Sequence, residues 1–225
     1  MIRRDYILRM IEEMVQALAR IGSLTKDKRY KEAAALLDEE LQKLIGSGAE
    51  KVAMLSETEL MAALVSGEPT QVVREKCLLL VALLKEAGAI HAGQNRANES
   101  RACSVRALNL LLETRLRDAD GIDLPIFVPR IEDLVLALRD APLPPQLRAG
   151  LMQHYERVGD FAKAEDQLFA ILDSETNSPR LLDWGIAFYE RLMRLSGDKL
   201  VAGNLPRCEV ESGLSELHAL RQALA

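Results

Sequence analysis

Side-chain catalysis needs a nucleophile, an acid or a metal ligand held beside a second group that activates it. The 225-residue chain offers three histidines, His91, His154 and His218, and three cysteines, Cys77, Cys103 and Cys208. No histidine has a second ligand three or four residues away, the spacing at which one helix face grips a metal, so no metal site is expected. His154 adjoins Tyr155 and suits a surface or groove; His91 suits a turn. The cysteines are far apart, odd in number and without the paired spacing of a zinc knuckle or redox motif. They fit small core residues in a reducing cytoplasm. Cys103 is a nucleophile only if a distant His and acid converge on it.

Paired acids, Glu12 with Glu13, Glu39 with Glu40, and Asp173 with Glu175, would divide acid and base work only if their environments pushed their pKa values apart. On amphipathic helices such pairs are ordinarily a solvated face. Arg96, Arg101, Arg106, Arg115 and Arg117 make one segment basic. Five-residue steps turn about 140° per step along a helix, so the first three form no stripe and scattered, solvated charge is the expectation. Neither a nucleophile elbow nor a phosphate-cradling GxxxxGK loop occurs. A non-enzymatic protein without a cofactor is the reading these residues favour.

Composition narrows the class further. The net charge of -5 comes from 34 acidic and 29 basic side chains, mixed along the chain, so nucleic acid finds no basic footprint. The chain is 48% hydrophobic but only 4% aromatic, and Leu and Ala supply about 30% of it, a balance that favours helix over sheet. The longest apolar run, Cys77 to Leu84, falls well short of the roughly 20 residues needed to cross a bilayer. Met1 to Arg4 is basic, but Arg9, Glu12 and Glu13 interrupt the apolar stretch behind it, so no export signal is expected and the cytoplasm is the expected compartment.

The elements that would position these residues read as helices throughout. Ile7, Leu8, Ile11, Met14, Val15, Leu18 and Ile21 recur at helical spacing from Asp5 to Ile21, with Gly22 and Ser23 as the expected stop. A second helix carries Tyr30, Ala33, Leu37, Leu41 and Ile45 up to Gly46 and folds back on the first. Ser56 and Glu59 have the spacing of a capping box, opening a short helix that ends near Gly67. Pro69 then suits the first turn of a helix running to about Ala87. Its stretch CLLLVALL is apolar on every side and must be covered by its own chain or by a second copy. After Gly88 and Gly93 another helix spans about Ala97 to Arg117. The glycine and two prolines of Asp120 to Pro129 mark the expected boundary between a 1–120 domain and a 126–225 domain, unless one solenoid continues through both. A short helix over Arg130 to Arg139 and another starting at Pro145 follow.

The triplet Tyr155-Glu156-Arg157 recurs as Tyr189-Glu190-Arg191, an offset of 34 residues, which is the tetratricopeptide period. Between the copies, GDFAKA (Gly159 to Ala164) resembles the tetratricopeptide turn, with Leu168 and Ile171 behind it. Met152 and Ile171 stand where that family usually has small residues, which implies wider helix spacing. Gly185 and Tyr189 keep the pattern, but the next turn arrives four residues late, at Gly197-Asp198. Glu209 to Ala223 would then be a terminal cap. The resemblance implies an all-α, right-handed superhelix of antiparallel helix pairs with degenerate repeats. It also implies a groove lined by Gln153, Glu156, Arg157, Asp183, Ala187, Glu190 and Arg191, whose alternating charges suit a peptide or partner helix bearing both signs.

RRDYILRMIEEMVQALARI, the stretch around KRYKEAAALLDEELQKLIG, SETEL and LLLVALLKEAGAI are similar to a family of uncharacterised bacterial proteins defined only by a domain of unknown function. The similarity covers about residues 1 to 117 and implies a tetratricopeptide-like helical fold in a bacterial cytoplasm, without activity or substrate. Arg96 and Glu99 stand where a regular repeat has an aromatic and an alanine, so this pair is degenerate. The expected function is a scaffold or adaptor for a protein or peptide partner, or for a second copy through the Cys77 to Leu84 helix. The alternative is a small-ligand sensor or enzyme with a pocket between the halves, around Asp120 to Pro145.

Overall fold

A computed structural model describes residues 2–65, 70–117, 124–174 and 178–224; Gly67, Pro69, Asp120 and Glu175, all singled out above, lie outside them. The described residues form twelve helices and no strand. The chain groups into two compact units, Met1–Pro142 and Leu143–Ala225.

The first unit holds α1 (Ile2–Lys26), α2 (Tyr30–Ile45), α3 (Ala49–Met54), α4 (Glu57–Val65), α5 (Thr70–Gly93), α6 (Ala97–Arg117) and α7 (Ile131–Ala137). Helix α5 is its axis, packed against α1, α2, α4 and α6. Every residue from Cys77 to Leu84 is buried, and Leu78, Leu79, Leu80, Val81 and Leu83 have no exposed surface. Burying one such side chain contributes ~1.5–3 kcal/mol, so this helix supplies much of the unit's stabilisation. The cover comes from the same chain, which removes the motive for self-association through α5. Helix α7 packs on α6, so it belongs with the N-terminal helices, although the boundary read from sequence put it in the C-terminal domain.

Two glycines read as helix stops lie inside helices. Helix α1 runs through Gly22 and Ser23 to Lys26, because a mid-helix glycine costs only about 0.5–1 kcal/mol and Ile21 beside it is fully buried. The chain reverses instead at Lys28, in the left-handed conformation with φ 60°. Helix α5 continues through Gly88, where a Cβ would lie 3.3 Å from the Ser100 carbonyl oxygen and 3.2 Å from Ser104 Oγ. Gly88 therefore lets the α6 backbone approach closely. The capping box forms as the spacing predicts: the Ser56 N–H donates to Glu59 Oε2 at 2.8 Å and the Glu59 N–H to Ser56 Oγ at 3.3 Å.

The arginines of α6 are not simply solvated. Arg106 donates from Nη1 to the Val52 carbonyl and from Nη2 to the Leu55 carbonyl at 2.8 Å, serving the carbonyls left open at the end of α3. Arg101 Nη2 donates to the Pro142 carbonyl at 2.6 Å. Periodicity alone could not show either role, because all three acceptors lie more than 35 residues away in sequence. Glu40, expected on a solvated face, is buried and paired with Lys43 at 2.7 Å.

The second unit holds α8 (Pro145–Val158), α9 (Phe161–Ser174), α10 (Pro179–Met193), α11 (Gly197–Ala202) and α12 (Arg207–Ala223). Helix α8 packs with α9, and α10 with α12. The second pair is antiparallel: Arg207 at the start of α12 donates to the Met193 and Leu195 carbonyls at the end of α10, and Arg221 near the end of α12 pairs with Asp183 near the start of α10. Helix α12, expected to be a terminal cap, packs as the partner of α10.

Replacing Arg106 by Met keeps aliphatic packing but removes both donors. R106M is expected to lower the unfolding free energy by ~1–3 kcal/mol with an unchanged urea m-value; an unshifted midpoint would mean that water serves those carbonyls equally well.

Candidate functional site

The concave region of the second unit is built from the ends of its helices. Gly159 ends α8 in the left-handed conformation, φ 86°, and its N–H together with that of Asp160 satisfies the Glu156 and Tyr155 carbonyls. Phe161, buried, starts α9. Around the second turn, the four-residue delay becomes helix α11. Its C-terminal Gly203 packs on the first turn: the Gly203 carbonyl accepts from the Ala162 N–H at 3.1 Å, and a Cβ on Gly203 would collide with the Phe161 ring and the Gly159 carbonyl.

Between α8, α10 and α11 lies a cavity of about 520 Å³. Glu156 and Arg157 of α8 and Arg191 of α10 line it, three of the seven groove residues expected from the repeat. Arg191 grips Glu156 with two parallel hydrogen bonds, Nε to Oε1 at 2.6 Å and Nη2 to Oε2 at 2.8 Å. That bidentate contact holds the guanidinium pKa above its ordinary value. The other four are absent from the lining: Gln153 and Glu190 are exposed, Ala187 is half-buried and Asp183 is engaged by Arg221. Sequence reasoning missed Val158, Leu195, Lys199 and Ala202, which complete the wall. The late turn was the signal for Lys199 and Ala202, since the extra residues form α11 (Gly197–Ala202).

Behind the cavity, α10 is clamped by close approaches. A Cβ on Gly185 would lie 2.6 Å from Leu217 Cδ1 and 3.2 Å from Leu168 Cδ1, and one on Gly213 would strike the Tyr189 hydroxyl. Tyr189 is fully buried and donates its hydroxyl hydrogen to Glu165 Oε1 at 2.5 Å. Burial pushes the Glu165 carboxyl above its usual range; the bond from Tyr189 opposes this, while Glu209, Asp166 and Glu216 add to it. Burial, and then Glu165, push the Tyr189 phenol up.

The remaining candidates are dispersed. His154, expected at a surface or groove, is buried beside Tyr155, with ring centroids 5.5 Å apart. His91 lies in the last turn of α5, and burial lowers its pKa. Burial raises the Cys77 and Cys103 thiols, so neither is a ready thiolate, and Cys208 is exposed. Among the described residues no three of His, Cys, Asp or Glu converge as a metal site, and no helix is long and apolar enough to cross a membrane.

This is an all-helical protein whose visible site is a concavity between helix ends. The chain belongs to a family of unknown function (DUF6483), whose profile matches residues 1–222. The match extends through the C-terminal helices, well beyond the 1–117 span in which the resemblance was legible. No curated protein and no solved structure matches the chain.

The Glu165 shift makes stability depend on pH in a stated direction. A carboxyl raised in the folded state favours folding fully below its unfolded value, about 4.3, and that contribution is lost as pH rises through the folded value. Glu165→Gln still accepts from Tyr189 but cannot ionise. E165Q is expected to melt above the parent protein at about pH 7.5 and level with it near about pH 4. A gap of the same size at both pH values would refute the linkage.

Proposed function

We propose that this chain is a non-enzymatic, tetratricopeptide-like scaffold of the bacterial cytoplasm that binds an acidic segment of another protein in the concavity of its second unit. The observation that carries this reading is the lining: Arg157, Arg191 and Lys199 against a single acid, Glu156, with apolar surface from Val158, Leu195 and Ala202 between them. Val158 is 51% exposed, so a covering partner would remove apolar surface from water. The mixed-charge partner expected from sequence becomes an acidic one because Lys199 joins the wall and the acids Asp183 and Glu190 do not.

Support for the repeat reading comes from the period of 34, the left-handed Gly159, the buried Phe161 and the fully buried Ala164 where α9 meets its neighbours. The Glu156–Arg191 pair ties the two members of that period together across the cavity. It gives the recurring charges a structural duty besides any recognition.

Screening a displayed random-peptide library against the full chain is expected to enrich peptides rich in Asp and Glu. Arg157→Glu combined with Lys199→Glu, both at exposed positions, is expected to weaken the selected peptides about tenfold or more, ~1.4 kcal/mol, with melting unchanged. Peptides without acidic bias, or affinity indifferent to the double variant, would sink the proposal.

A further inference from the structure

A second cavity, of about 690 Å³, opens between α2, α3, α5 and α6 within the first unit. That volume is in the range of pockets that enclose one small molecule, roughly 300–1,000 Å³. Leu41, Val52, Met54 and Leu84 give it aliphatic walls, and Met54 is 79% exposed where α3 ends. The charged residues around it are near balance, Asp38, Glu50 and Glu99 against Arg96 and Arg106. Two of them are already engaged: Asp38 Oδ1 accepts from the Ala49 N–H at 2.7 Å, and Arg106 serves the α3 carbonyls. Nothing in this wall concentrates charge of one sign for an ionic ligand.

One polar group in the wall is left over. His91 Nδ1 is enclosed without a hydrogen-bond partner, and burial together with Arg96 keeps the ring uncharged at neutral pH. An enclosed N–H without an acceptor is rarer than a bare lone pair, so the proton belongs on Nε2. The donor left to this lining residue is Nε2–H, and the complement of an N–H donor is an oxygen acceptor.

We propose that this cavity binds an uncharged, largely apolar small molecule carrying a carbonyl oxygen that accepts from His91 Nε2–H. The site is independent of the peptide groove and survives that reading's failure.

Nile red, an uncharged dye with a carbonyl group, is a direct probe when titrated into the full chain and followed by the blue shift of its emission. Saturable binding at one dye per chain is expected. Ala53→Phe and Ala102→Phe, at exposed positions on two different walls, should each weaken it about tenfold with melting unchanged; the two sites guard against one variant failing to fold. His91→Leu should weaken it roughly fivefold, and His91→Gln, which keeps an N–H donor, should restore most of that loss. Unsaturable uptake, or affinity untouched by either phenylalanine, overturns the proposal. Sedimentation showing that the same phenylalanines split a dimer into monomers also overturns it, and gives the cavity to a second copy of the chain.

Discussion

An eight-residue run without a polar face, Cys77 to Leu84, sets the terms for the first unit. A helix apolar all round cannot lie on a surface, because each side left in water forfeits the transfer free energy of its leucines. Its neighbours must surround it, and α1, α2, α4 and α6 do so. Close approach of α6 in turn requires Gly88, whose missing side chain leaves room for the Ser100 carbonyl. Fixing α6 there also places Arg106 within reach of the end of α3, a helix of six residues that would be marginal unaided. One buried helix thus propagates, through a glycine and an arginine, to the wall of a cavity.

The second unit solves a different packing problem with the same means. Helix α10 carries Phe188 and Tyr189 fully buried, and large rings demand small partners. Gly213 receives the Tyr189 hydroxyl end, and Gly185 leaves space for Leu168 and Leu217. The tyrosine hydroxyl is then far from water, so an acceptor must be supplied from within, and Glu165 supplies it. Burying that carboxyl among Asp166, Glu209 and Glu216 is costly, and the raised pKa expresses the cost.

Most helices were legible because their signals are local. Amphipathic spacing gave α2 and α6, the Ser56–Glu59 capping box gave the start of α4, and Pro145 gave the start of α8. Two of the misplaced helix ends share a cause, which is that a glycine looks the same whether it ends a helix or admits a neighbour. Gly22 and Gly88 have the look of stops but lie inside α1 and α5, while a left-handed lysine, Lys28, makes the first connection without any marker. The short helix α3 has too few residues to show a period, and α11 was visible only as a delay in the repeat. Three of the seven expected groove residues line the cavity, Glu156, Arg157 and Arg191, which recur with the period, whereas Lys199 belongs to the insertion that breaks it.

That insertion decides which charges line the concavity. In an uninterrupted array the space between α8 and α10 would continue along the helices, and the recurring Glu and Arg would balance each other. Helix α11 instead adds Lys199 and Ala202 to the wall, and Gly203 seats its end on the Gly159 turn. Arg191 is largely neutralised by Glu156, at hydrogen-bond distances of 2.6 and 2.8 Å. Lys199 thus brings to the wall a positive charge that the recurring triplets do not carry. A departure from the repeat, more than the repeat itself, gives this surface its sign.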